Sequence, residues 1–572
     1  MPKLLQINVT ANWGSTGKIA EQIGLCAQKH GWESYIAYGR YSNPSKNQLI
    51  KVGNQLDIYL HYAYNRFLDG EGLGSICATK KLLKDIDRIQ PDVIHLHNIH
   101  DHYLNYPALF RYLVQKNIPI VWTQHDLWAT TGHCAFSIDG CERWKSGCYD
   151  CPAISRYCLD NSKRNFDLKK NLFTSVKNMT IVPVSEWLGT QVQQSYLGKY
   201  PIKVIKNGVD INVFKPIKGN VVEKYSLEGK HVLLAVSSVW PKFKGLDDFI
   251  SLSGMLSDDY RIVVVGVSRD QISQLTSNMI GIERTDSQME LAQLYSAANI
   301  VMSLSSFETF GLTIAEGMAC GTPAIVYGNA ALPELITSET GRVVESGNLQ
   351  ELHDTILYMV DNEFKFHHST DCRKRAEEVF DQNKAWESCI SLYDSILNGI
   401  RGGKTILIGV AAVWNDRKGL DDYIRLASIL PDEYLIVLIG LSHEQQDNLP
   451  KNIIGIQRTH NQYELAQLYS MADILLSLST GETFGMTMAE AYACGTPCIV
   501  YDNTAQPEIV SHKTGRIVKT DDIESVARTI IDMTENGFKL KHTCDCRLRA
   551  AELYNKDKCF EKYIELYERL IL

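Results

Sequence analysis

Along most of the chain, short apolar runs closed by glycine, proline or polar clusters alternate with longer stretches whose apolar residues recur at helical spacing. The run KLLQINV at residues 3–9 reads as a buried strand, passes through NWGSTGK and enters the helix-like IAEQIGLCAQKHGW. SYIAYGR, PDVIHLHN, IPIVWTQHDLW and TIVPVS read as further strands, and a helix is expected near Lys80–Ile89, ahead of Pro91. Buried strands separated by helices are the pattern of a parallel sheet covered on both faces, a doubly wound α/β domain. The polar and aromatic stretch up to Gly74 carries no period that assigns it.

The alternation then recurs twice in nearly the same words. HVLLAVSSVWPKFKGLDDF, RIVVVGV, MIGIERT and MELAQLYSAANIVMSLS return as TILIGVAAVWNDRKGLDDY, LIVLIGL, IIGIQRT and YELAQLYSMADILLSLS. Trp240 and Trp414, Lys244 and Lys418, Glu308 and Glu482, and Glu316 and Glu490 all stand 174 residues apart. A constant shift of that size marks duplication of a whole folded unit rather than a stack of short repeats. A chain of 572 residues has room for about three or four domains. The expected division is residues 1–205, a hinge at 206–229, a first copy at 230–398 and a second at 404–572.

The chemistry concentrates in Ser303–Tyr327, SLSSFETFGLTIAEGMACGTPAIVY, and its repeat Ser477–Tyr501, SLSTGETFGMTMAEAYACGTPCIVY. Each reads as strand, glycine turn, helix, glycine-proline turn, strand. The unpaired amides of Gly311, Leu312 and Thr313 at the helix start would favour an anion such as a diphosphate. Glu308 stands before the helix and Glu316 on its second turn, so the two carboxylates can reach either side of that anion and accept hydrogen bonds from paired sugar hydroxyls. A capping carboxylate and a surface glutamate are the plain alternative.

The pattern of a glutamate, seven residues, a second glutamate and then A-C-G-T-P resembles the donor-binding core of the retaining family 4 glycosyltransferases of GT-B fold. The resemblance implies Rossmann-like doubly wound domains facing each other across a cleft, here one N-terminal and two tandem C-terminal copies. It also implies that Glu308 faces hydroxyls of a donor hexose, that Glu316 holds the ribose, and that Phe310, Gly311, Leu312 and Thr313 line the donor site. V-W-x-x-x-K-G places Lys244 where a cation neutralises a leaving diphosphate. The arginine that precedes this lysine by six residues in the family is Ser238 here, and Ala412 in the second copy.

In the N-terminal part, Gly17-Lys18 does not complete an ATPase phosphate loop, because Asn12 replaces the required glycine and Ile19 the magnesium-binding Ser or Thr. The resemblance instead makes Gly14, Ser15, Thr16, Gly17 and Lys18 a glycine-rich loop against the donor diphosphate and acceptor. It assigns His125 to the donor sugar, with Asp126 to orient it, and places His97 and Asn98 on the acceptor side of the cleft. Histidines 95, 97, 100 and 102 as a metal cluster are the competing reading. The N-G-V-D-x-x-x-F-x-P segment resembles the family hinge, which puts Asn207 and Gly208 between the domains.

Two C-terminal copies compete for one N-terminal partner. The first is attached by the hinge, so Lys244, Glu308 and Glu316 are expected to complete the site with His125. The second offers Arg417, Lys418, Glu482, Phe484, Gly485, Met486, Thr487 and Glu490 as alternatives, with its final helix from Cys546 onward making the crossing. It also suits a spare sugar-nucleotide module or a dimerisation unit.

Fifteen cysteines with no signal peptide point to thiols or metal ligands before disulfides. Cys134, Cys141, Cys148 and Cys151, spaced C-x6-C-x6-C-x2-C, fit a structural zinc, reduced thiols packing a loop, or a disulfide. The net charge of −8 argues against nucleic acid as the main partner. Residues 1–200 nevertheless carry 22 Lys+Arg against 16 Asp+Glu, a basic first domain that suits an anionic acceptor or a bilayer surface. No apolar run approaches the ~18 residues of a membrane span, so a cytoplasmic protein is expected, peripheral at most to the inner face of the membrane.

The reading these features support is a hexosyltransferase that takes a UDP- or GDP-linked sugar to a glycan or lipid-linked glycan. Retention at the anomeric carbon and no cofactor for catalysis are implied by the resemblance. A nucleotide-sugar sensor or scaffold, or another GT-B enzyme such as a sugar-nucleotide epimerase, are the alternatives.

Overall fold

The apolar runs form short strands buried on both faces, as in Val93–Leu96, where all four residues are buried. The computed structural model describes residues 1–136, 140–154, 158–400, 404–459 and 461–571. Its strands form three six-stranded sheets in which every pairing is parallel.

The first sheet contains β1 (Lys3–Asn8), β2 (Glu33–Tyr38), β3 (Gln48–Lys51), β4 (Val93–Leu96), β5 (Ile120–Gln124) and β6 (Met179–Pro183). The second contains β7 (His231–Val236), β8 (Tyr260–Val265), β9 (Met279–Ile282), β10 (Ile300–Ser303), β11 (Ala324–Tyr327) and β12 (Gly341–Val344). The third contains β13 (Thr405–Val410), β14 (Tyr434–Ile439), β15 (Ile453–Ile456), β16 (Ile474–Ser477), β17 (Cys498–Tyr501) and β18 (Gly515–Val518). Counted within its own sheet, each has the order 3-2-1-4-5-6. That is the doubly wound Rossmann order, whose ligand crevice opens beyond the carboxyl ends of strands 1 and 4.

Two compact units divide the chain. One comprises residues 3–26 and 34–390 and holds the first two sheets; the other comprises 391–572 with residues 1–2 and 27–33 and holds the third. In the first unit the N-G-V-D segment is tied to the end of the second domain. Val209 N–H donates to the Phe380 carbonyl at 2.7 Å, and Arg373 donates to the carbonyls of Ile211 and Phe214. Gly208 is required there, since a Cβ would lie 2.1 Å from the Cα of Gln382.

The stretch without a sequence period holds β3 and the helix α2 (Gln55–Leu68), with α3 (Ile76–Ile89) after it. Residues 14–18 differ from the expected loop. They are the first turn of α1 (Gly14–Lys29), which begins at once because Gly14 takes φ +64°.

The helix Gln382–Ile400 buries Trp386, Cys389 and Ile390, and its Glu387 accepts from the thiol of Cys26 on α1 at 3.6 Å. At the equivalent positions of the second copy, on the helix Lys556–Ile571, Phe560, Tyr563 and Ile564 are all more than half exposed.

Candidate active site

The half of the site on the second sheet is built at the switch point between β7 and β10. After β7 the chain makes a short turn, Lys242–Lys244; after β10 it runs to Gly311, which takes φ +101° and caps the helix Leu312–Ala319. Because β7 and β10 are neighbours, Lys244 Nζ and Glu308 Oε1 meet in an ion pair, both half-buried. On the second turn of the helix, Glu316 accepts from the Tyr295 hydroxyl at 2.9 Å. Burial raises the Glu316 carboxyl to about 7, against the lowering pull of the Tyr295 hydroxyl and the Lys18 ammonium. Phe310 is buried, while Leu312 and Thr313 are partly exposed at the helix mouth.

The N-terminal half is a buried chain of imidazoles. Gln6 on β1 donates its amide to the Ala20 carbonyl at 2.8 Å, which turns its Oε1 toward His97 Nε2 at 3.1 Å. His97 Nε2 therefore carries the proton, and its Nδ1 is left to accept from His125 Nε2 at 3.1 Å. His125 in consequence presents a bare Nδ1. Burial keeps this chain neutral: it lowers His125 to about 4 and His97 well below the usual imidazole value.

Asp126 does not orient the His125 ring as expected. Its carboxylate accepts from His100 Nε2 at 2.9 Å and from the Trp128 amide at 2.9 Å. Burial alone would lower His100, but the carboxylates of Asp126 and Asp101 raise it well above its ordinary value. The histidines are thus split between a neutral chain beneath His125 and a charged pair beside it. Glu71, His100 and Asp101 bring one ligand atom each within 4.8 Å of one another, so part of the competing metal reading survives there, without His97. Asn98 is anchored through its backbone, whose amide donates to Asn8 Oδ1 at 3.2 Å.

The two halves touch. Thr309, beside Glu308, donates its hydroxyl to the His125 carbonyl at 2.8 Å. Glu334 lays its carboxylate on the amides of Glu186, at 2.9 Å, and Trp187, at the start of the helix Glu186–Gln194. Phe136 packs on Phe243 with ring centroids 4.8 Å apart. Gly14 and Ser15 open α1, Gly17 packs its backbone against Thr10 where a Cβ would lie 2.6 Å from Oγ1, and Lys18 acts on Glu316. Asn207 is buried in the hinge and Gly208 packs on Gln382.

Sequence reasoning missed Gln6, Tyr295, Thr309 and Glu334. Tyr295 had a visible signal, because LAQLYS recurs with Tyr469, whose hydroxyl donates to Glu490 at 3.0 Å. Gln6, a polar residue inside an apolar strand, was the other legible cue.

The second copy repeats this local geometry. Lys418 pairs with Glu482, and Gly485 takes φ +90° before the helix Met486–Ala493 that carries Thr487 and Glu490. It differs at the mouth: Phe484 and Met486 are exposed where Phe310 and Leu312 are buried or half-buried. The Arg417 carbonyl receives the amide of Thr480 at 2.9 Å.

Cys134, Cys141, Cys148 and Cys151 line one pocket with His133 and Trp144. The Gly132 amide donates to Cys148 Sγ at 3.2 Å. Among the described residues no three of these sulphurs come within 4.8 Å of one another, so the donor set suits zinc chemically but is not drawn into a tetrahedron.

The sequence profile described as Glycosyl transferases group 1 matches residues 220–379 and again 398–549, and that of Glycosyltransferase Family 4 matches residues 17–213. The chain belongs to the group 1 glycosyltransferases. This glycosyltransferase is 25% identical over 371 residues to the Escherichia coli K12 protein named for colanic acid biosynthesis, WcaC, a match covering 61% of this chain and 89% of that one. It is 29% identical over 184 residues to the alpha-galactosylglucosyldiacylglycerol synthase of Streptococcus pneumoniae, covering 30% and 47%. In fold it resembles sucrose-phosphate synthase from Thermosynechococcus elongatus, with TM-score 0.54, 15% identity and coverage of 70% of this chain and all (100%) of that one. Anabaena HepE, solved with UDP and glucose, gives TM-score 0.50 and 15% identity over 69% of this chain and 100% of that one. Among the described residues no helix is long and apolar enough to cross a membrane.

Proposed function

We propose that this glycosyltransferase moves a hexose from a nucleoside diphosphate sugar to a hydroxyl of a glycan or lipid-linked glycan in surface polysaccharide or glycolipid biosynthesis, with retention at the anomeric carbon. The observation that carries the reading is the bond from the Thr309 hydroxyl to the His125 carbonyl, which ties the loop carrying the first copy's Glu308 to the segment after β5. The donor enters by exchanging partners: its diphosphate takes Lys244 and the helix amides, and its hexose hydroxyls take Glu308. Glu316 accepts from the ribose. The bare Nδ1 of His125 accepts a hydrogen bond from a hexose hydroxyl and so holds the anomeric carbon toward the acceptor. Lys244 and the amides then carry the charge that develops on the departing diphosphate.

UDP or GDP is the expected donor base, a class supported by the UDP and glucose named with HepE. A polysaccharide or glycolipid acceptor is supported by the names of WcaC and the diacylglycerol glycosyltransferase. The four thiols suit a structural zinc, whose chemistry there would be to pin the loop; metal analysis of the purified full chain tests it, with close to one zinc per chain as the supporting result and none as the opposing one.

A sensor or scaffold role is the second reading, favoured by the repeated Lys418–Glu482 and Tyr469–Glu490 pairs. Incubation with a panel of UDP- and GDP-sugars, with and without lipid-linked acceptor, separates the two. Acceptor-dependent release of nucleoside diphosphate, lost in Glu308→Ala and kept in Glu482→Ala, supports transfer at the first copy. Binding without turnover in every combination supports the sensor.

A further inference from the structure

Three carboxylates converge on one buried imidazole at the carboxyl end of the first sheet. His100 follows β4, Asp126 follows β5, and Glu71 comes from the turn between α2 and α3. His100 is only 9% exposed. Its Nε2 donates to Asp126 Oδ2 at 2.9 Å, which commits that nitrogen and aims Nδ1 the other way. There Nδ1 faces Asp101 Oδ1 at 3.6 Å and Glu71 Oε1 at 3.8 Å. Both distances are too long for hydrogen bonds. Glu71 is nevertheless held in place, because the Asp101 amide donates to its Oε1 at 3.1 Å.

One nitrogen and two carboxylate oxygens that crowd together without bonding one another suit a positive charge centred among them. Two ligand atoms each ~2.1 Å from a shared ion stand about 3–4 Å apart. The three atoms here all lie within 4.8 Å of one another. A proton on Nδ1 lies far from both oxygens, whereas a cation between them touches all three after small side-chain shifts. The bond behind the ring completes the arrangement: a metal-bound histidine commonly gives its other N–H to a carboxylate, which fixes the tautomer and strengthens the ligating nitrogen. Asp126 stands in that place.

We propose that Glu71, His100 and Asp101 hold a divalent transition-metal cation through Oε1, Nδ1 and Oδ1, with Asp126 supporting the ring from behind. One imidazole and two carboxylates suit manganese or zinc, while thiolates favour zinc, so manganese is the ion that separates this site from the thiols around Cys148. Binding releases the proton of Nδ1 to solvent and leaves Nε2–H on Asp126. The ion ties the α2–α3 turn to the loop after β4 and, through Asp126, steadies the segment that starts at His125. It takes no part in transfer, so it is independent of the transferase reading.

The test is titration of the full chain, dialysed against a chelator, with manganese chloride, following the EPR signal of the free ion. Saturable loss of signal equal to one ion per chain is expected, with pulsed EPR showing coupling to one imidazole nitrogen that disappears in His100→Gln. Glu71→Gln and Asp101→Asn, which keep the side-chain shapes, should each weaken binding about tenfold or more, and Asp126→Asn about 10- to 100-fold. Cys148→Ser should leave it unchanged. Circular dichroism checks that each variant is folded, and if His100→Gln is not, the two carboxylate variants carry the test. No saturable binding by the wild type, no nitrogen coupling, unchanged binding in both carboxylate variants, or loss of binding in folded Cys148→Ser would each overturn the proposal. Binding is read without turnover, so absent nucleoside diphosphate release would count against the transferase reading alone.

Discussion

His97 Nδ1 lies 3.1 Å from His125 Nε2, and the direction of that bond is fixed from β1 by Gln6. The proton on His125 points into the protein, and its other nitrogen is an acceptor. Gln6→Leu frees His97 to take the other tautomer, so kcat is expected to fall about tenfold or more with little change in KM. Gln6→Glu keeps an acceptor at the same place and should retain more of the rate. Steady-state kinetics of the two variants check this, and equal losses would mark Gln6 as a packing residue.

Glu308 and Lys244 neutralise one another in an ion pair that the proposed donor would exchange for its own groups. Glu308→Gln and Lys244→Met are each expected to lower kcat/KM by about 100- to 1000-fold, the usual scale for losing a group that meets transition-state charge. Lys418→Met and Glu482→Gln, at the matching pair of the second copy, should leave transfer within about twofold. A nucleotide-release assay on the four variants gives the comparison.

Glu316 links activity to pH. Its carboxyl sits near 7, raised chiefly by burial, and in the proposed role of Glu316 the ionised form is the better acceptor for a pair of ribose hydroxyls. The kcat/KM profile should therefore rise with pH through about 7, a limb absent in Glu316→Gln. Lys18→Met removes a cation that lowers the carboxyl and should move the limb to higher pH. The stability effect has the opposite sign. The folded state holds this proton more tightly than the unfolded chain, so the group's contribution is full below its ordinary value of 4.5 and is lost as pH rises through about 7.

Glu334 bridges the first copy to the helix Glu186–Gln194 through two amides. Glu334→Ala should widen the cleft, read as a larger radius of gyration by small-angle scattering and a KM raised by about threefold to tenfold, because charge-assisted bonds of this kind are each worth ~1 kcal/mol or somewhat more. Unchanged scattering and KM would show that the contact does not hold the cleft.

Much of this was legible along the chain. Strand-helix alternation gave three doubly wound sheets, and the 174-residue displacement gave two of them the same internal order, because periodicity and glycine turns are local properties. The glutamates stood out for the same reason, each being fixed relative to its own helix. What only the tertiary structure decided is everything set by the meeting of elements far apart along the chain: the Lys244–Glu308 pair, the Thr309 bond to His125, the Gln6–His97–His125 chain and the diversion of Asp126 to His100. Those partners are 26 to 184 residues apart, and no spacing rule reaches them. Local pattern specifies elements and the groups they carry; the closing of one sheet edge against another specifies which groups meet.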